Sequence, residues 1–135
     1  MPDRSSPRLD EDIQELCVTP TTTQIFSFSA VTWNRHRIHY DKDAAIAEGH
    51  RDVVVQRALL GNYLAAMLEE WLGRNGTVRK LSWKVLNSAY PGRELRCTGT
   101  ATLDGHTAHC SLIIESEGGV VVATGQAECA LVEGA

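Results

Sequence analysis

A chain of 135 residues, 43% apolar and 22% charged, has the length and composition of one ordinary globular domain. No apolar run approaches a membrane span, and a formal charge of −4 argues against nucleic acid as the main partner. The polar opening, Met1 to Asp12, has no apolar signal core, so a cytoplasmic location is expected.

Residues 1–12 read as a flexible tail and 13–135 as the single domain, because Pro2, Ser5, Ser6, Pro7 and a cluster of acids supply no periodic apolar face. Ile13, Leu16 and Val18 begin to pack before Pro20 interrupts. Gln24 to Thr32 partly alternates and is rich in aromatic, Ser and Thr residues, which predicts a strand ending near Trp33. Asn34 to Asp41 holds neither period and reads as a loop with a helical turn. Asp41 is placed to cap a short helix over 43–48, stopped by Gly49. Asp52 to Gln56 is short and β-branched, a buried strand or an extended lead-in.

From Arg57 the period changes. Leu59, Leu60, Tyr63, Leu64, Met67, Leu68, Trp71 and Leu72 recur at helical spacing, which predicts an amphipathic helix of about four turns ended by Gly73 or Gly76. Beyond it the pattern is all strand: 78–86, a turn at 87–92 with Pro91-Gly92, 94–103, a hairpin at Asp104-Gly105, 109–115, a turn at Glu117-Gly118-Gly119, and 120–132. One long helix between an early strand and a run of antiparallel strands is α+β. Burial is most complete if a curved antiparallel sheet wraps the central helix. Cys17, Cys97, Cys110 and Cys129 form no close pair and read as reduced, mostly packed thiols.

The densest chemistry is Thr32-Trp33-Asn34-Arg35-His36-Arg37-Ile38-His39-Tyr40-Asp41, just ahead of the main helix. Together with Phe28 to Val31 and with Asp52 to Leu60, this stretch resembles the MaoC-like hydratase/dehydratase branch of hot-dog proteins. The nearest pattern is the subgroup of fatty-acid-type acyl dehydratases and mesaconyl-CoA hydratases. The resemblance implies a single hot-dog domain. It also implies a substrate of acyl-CoA or acyl carrier protein, no metal or redox cofactor, and a homodimer or a heteromer with a second hot-dog chain.

The resemblance puts His39 on the family's catalytic histidine and Asn34 on its aspartate, five residues earlier. Gln56-Arg57 stands where the family has His-Gly. An asparagine cannot be a base, but its amide can orient a water. The implied catalytic residues are His39 and Asn34, with Asp41 available to orient an imidazole. Backbone N–H groups of Arg57 and Ala58 at the helix start would hold the thioester oxygen. Trp33, Arg37 and Tyr63 are the candidate substrate contacts, and Arg35, Arg37 and Arg51 can meet CoA phosphates or an acidic carrier. Each has a bland counterpart: a structural histidine, a turn-capping asparagine, solvated arginines and a core tyrosine.

The expected reaction is reversible hydration of a 2-enoyl thioester to the 3-hydroxyacyl thioester. The alternatives are a non-catalytic subunit of a heteromeric hydratase and a repurposed isomerase or cyclase. A thioesterase fits worse, because Glu69 and Glu70 lie too late in the helix.

Overall fold

The computed structural model describes residues 9–133. Its elements in chain order are β1 (Asp12–Val18), α1 (Thr22–Thr32), a 3-10 turn (Arg37–His39), α2 (Lys42–Ala47) and α3 (Arg57–Leu72). Four longer strands follow: β2 (Gly76–Val85), β3 (Leu95–Asp104), β4 (Thr107–Ser116) and β5 (Val120–Leu131). The strands form one antiparallel sheet in the order β1-β3-β4-β5-β2.

One sheet face carries the core. Leu95, Cys97 and Ala101 on β3, Ala108, Cys110, Leu112 and Ile114 on β4, and Val122, Ala127, Cys129 and Leu131 on β5 are buried. They join the α3 stripe of Leu60, Leu64, Met67, Leu68 and Leu72 in one cluster. Burying a side chain of this kind stabilises the fold by about 1.5–3 kcal/mol, so the helix–sheet layer is the main source of stability. Gly73, with φ of 53°, ends α3 and donates its N–H to Glu69 O at 2.9 Å, a backbone geometry that glycine adopts without strain.

Residues 24–32 are not a strand. They form most of α1, whose N-cap Thr21 accepts the Gln24 N–H on its hydroxyl at 3.0 Å. Ile25 and Ser29, four apart, are the buried side of this helix. The run of β-branched and hydroxyl residues suggested extended backbone, but the cap and one buried helical face outweigh that preference. The early strand is β1 instead, paired with β3 through a register shift between Ile13 and Leu16 that breaks the alternation. Of the segment read as tail, residues 1–8 lie outside the described residues. Leu9 is buried in the core, and Asp10 O accepts the Trp71 indole N–H at 2.8 Å.

Asp41 caps α2, accepting Ala44 N–H at 3.1 Å. Val53, Val54 and Val55 are a buried extended lead-in outside the sheet. Val54 N–H donates to Ile38 O at 2.8 Å and Val55 N–H to Ala89 O at 2.9 Å. The first of these bonds lays the 3-10 turn alongside the approach to α3. No described helix is long and apolar enough to cross a membrane.

Candidate active site

His39 is buried in the 3-10 turn, and its Nδ1 lies 2.6 Å from Val54 O. A carbonyl only accepts, so Nδ1 carries the proton and donates it. The neutral ring then presents Nε2 as a free lone pair. Burial pushes this imidazole below its ordinary value of 6.5, and the nearby His36 and His50 act in the same direction; the Val54 hydrogen bond opposes them. A ring that is neutral at pH 7 and held by its far nitrogen has the form that general-base work requires. Asp41, expected to orient an imidazole, caps α2 instead, and a backbone carbonyl takes that task.

His39 lines a cavity of about 520 Å³ together with Thr22, Thr23, Phe26, Tyr40, Lys42, Asp52 and Val53. The first turn of α1 is therefore one wall, and Lys42 and Asp52 add one cation and one carboxylate to the lining. Asn34 lines a neighbouring cavity of about 330 Å³ with Phe26, Ser29, Ala30, Trp33, Arg35 and Tyr40. Its Oδ1 accepts the His36 N–H at 3.2 Å, so the asparagine does cap a turn, and its amide N–H groups are the part left to act on a ligand.

Trp33 closes α1 in the left-handed region with φ of 58°, unusual for a bulky residue. Its N–H and that of Asn34 both donate to Ser29 O, and Arg35 stacks on its ring at 5.4 Å. It lines the Asn34 cavity. Arg37 is exposed and lines neither cavity. Tyr63 is buried and donates its hydroxyl proton to Gln24 Oε1 at 2.8 Å. Burial pushes its phenol up to about 12, so it ties α3 to α1 as a neutral donor.

The start of α3 carries no side-chain cap and no acid in its first turn, which leaves peptide N–H groups there for an anion. Arg57 and Ala58 are exposed but do not line the His39 cavity. The Arg57 guanidinium lies over the Trp83 ring at 4.6 Å and donates to Trp83 O at 2.8 Å. The Trp83 indole N–H donates back to Arg57 O at 2.9 Å. Trp83 fits against the helix because residue 61 is glycine: a Cβ there would overlap the ring.

The sequence reading missed the wall that α1 supplies. Thr21-x-x-Gln24 is a helix-start signature, and a helix from Thr22 would have put Thr22, Thr23 and Phe26 near one another. It noted Gln56 only as a departure from the family's His-Gly and gave it no contacts; the residue is wholly buried and donates through Nε2 to Ile25 O at 2.6 Å and Ser29 Oγ at 2.8 Å. Its Oε1 has no partner among the described residues.

Comparison with known proteins agrees with this architecture. Solved structures that superpose on the chain include the ChsH1–ChsH2 complex from Mycobacterium tuberculosis, at 16% identity over 94% of this chain and 100% of that one, with a TM-score of 0.84. The (R)-hydratase from A. caviae involved in PHA biosynthesis matches at 20% identity over 94% and 98%, also with a TM-score of 0.84. The HadBC (3R-hydroxyacyl-ACP dehydratase) complex from Mycobacterium tuberculosis matches at 11% identity over 90% and 99%, with a TM-score of 0.72. At these identities the likeness is one of fold. No curated protein matches in sequence. Residues 2–91, by contrast, match the sequence family described as hydroxyacyl-thioester dehydratase type 2. The chain belongs to that family, and its fold is the MaoC-like hot-dog domain.

Proposed function

We propose that this chain catalyses reversible addition of water to a 2-enoyl thioester, carried on CoA or on an acyl carrier protein, with His39 as the proton-transfer group. The observation that carries the reading is the buried imidazole, fixed through Nδ1 to Val54 O, in a residue that lines a cavity. Nε2 takes a proton from water as the hydroxyl oxygen bonds to C3. The C2–C3 π electrons move toward the thioester carbonyl, and the imidazolium then returns the proton to C2. Asn34 is the proposed water-positioning group, through the amide N–H groups its turn cap leaves free. Peptide N–H groups at the uncapped start of α3, near Arg57 and Ala58, are the proposed donors to the thioester oxygen. Trp33 is the proposed acyl contact. Arg37 is proposed to meet the phosphates of the carrier, and Tyr63 to hold α1 in place as the wall.

A second reading has support of its own. Arg57 packs on Trp83 at the helix start, and neither it nor Ala58 lines the His39 cavity. That favours a supporting subunit whose partner chain completes the oxyanion site. Two of the structural relatives are themselves two-chain complexes.

Loss of enoyl absorbance from crotonyl-CoA separates the two readings. The purified chain should turn the thioester over, and His39→Ala should lose about 10²-fold or more. Turnover unchanged in the variant would sink the role of His39. Turnover that appears only when a second hot-dog chain is added would select the subunit reading.

A further inference from the structure

The His39 and Asn34 cavities are neighbours, and Phe26 and Tyr40 line both. The two rings meet edge to face, with centroids 6.3 Å apart and planes at 87°. Helix α1 runs beneath both spaces, with Thr22 and Thr23 on the His39 side and Ser29, Ala30 and Trp33 on the other. The two ends differ in chemistry. Lys42 and Asp52 stand in the His39 cavity, whereas the second is walled largely by the carbon of Ala30, Trp33 and the shared rings.

The two halves of the partition are held differently. Tyr40 is tethered: its hydroxyl donates to Arg35 O at 3.0 Å and its N–H to Arg37 O at 3.1 Å. The Phe26 ring has no hydrogen-bonding group, and the residue is 58% exposed. A helical backbone leaves it two common χ1 wells, so Phe26 is the half that can turn aside.

We propose that Phe26, closing against Tyr40, sets the acyl-chain length this site takes. The inference rests on the thioester reading above. The thioester and its reacting double bond occupy the His39 cavity, beside the base. Acyl carbons beyond them continue past the ring pair into the Asn34 cavity. Closed rings stop a short enoyl group there. A longer chain replaces the ring–ring contact with ring–chain contact and gains by leaving water, so the two volumes join around it.

The test compares wild type, Phe26→Ala and Phe26→Trp on trans-2-butenoyl-CoA and trans-2-dodecenoyl-CoA. Phe26→Ala should raise the dodecenoyl-to-butenoyl ratio of kcat/KM about tenfold, and Phe26→Trp should lower it by a similar factor, mainly through KM for the long chain. An unchanged ratio in both variants overturns the proposal. Binding of the unreactive dodecyl-CoA thioether, followed by calorimetry on the same proteins, keeps the two readings apart. If no protein turns over any thioester, the hydratase reading fails, yet tighter thioether binding by Phe26→Ala still supports the partition. Equal thioether binding by all three overturns it.

Discussion

His39 combines two opposing influences, and the sign of their sum is testable. Burial and the neighbouring His36 and His50 lower its proton affinity, the Val54 bond raises it, and the net shift is downward from 6.5. The acid limb of kcat/KM should therefore fall below pH 6.5. The same shift acts on stability. Between the native value and 6.5 the unfolded chain binds more protons than the folded one, so stability falls as pH drops through that window. His39→Gln keeps a donor for Val54 O but cannot titrate. Urea midpoints at pH 7.5 and pH 5.5 should show wild type losing ground against this variant on the acid side; a pH-independent difference would mean that burial does not control this ring. The histidine stands out in the sequence because it lies in a dense polar motif. Its partner was not, since a backbone carbonyl fifteen residues away has no signature in residue types. Asn34 was legible as either a cap or a ligand to water, and its Oδ1 has taken the cap.

Among the elements, α3 and β2 to β5 were readable because their apolar periods are long, and their ends fall within a residue or two of those expected. Helix α1 was not, because its buried face is little more than Ile25 and Ser29, and hydroxyl and β-branched residues fill the rest. Strand β1 escaped because its register shift breaks the alternation. The contact of α3 with β2 allows a sharper test. In an unencumbered helix Gly→Ala gains about 1 kcal/mol. At Gly61 the new Cβ would overlap the Trp83 ring, and overpacking of that kind costs about 1–3 kcal/mol. The clash should win, so Gly61→Ala should lower the urea midpoint in the wild-type background. With Trp83→Ala already in place the same change should raise it. A substitution that destabilises equally in both backgrounds would show that the indole is not what residue 61 must avoid.

For the whole molecule, the α+β layer was legible from the order of periods, but the strand order was not. Nothing in the pattern of β2 says that it pairs with β5 rather than with β3, its successor in the chain. That order leaves β1 and β2 as the two edges of the sheet. The β1 edge is seven residues long, with its register shift near the middle. The β2 edge is ten residues long and pairs regularly with β5 from Lys80 to Val85. A long edge strand is a template for another strand, so we propose that a second hot-dog chain, identical or not, joins here. For the chain alone, sedimentation should give a species of twice 14.8 kDa. Hydrogen exchange should then show protection at successive amides from Lys80 to Val85, because those facing away from β5 find acceptors on the partner. A monomer would expose every second amide of that stretch and leave it exchanging freely. If a stable dimer forms while those amides still exchange freely, the contact lies elsewhere on the surface. If the chain is monomeric and the same amides become protected only when a different hot-dog chain is added, the edge is built for a heteromer.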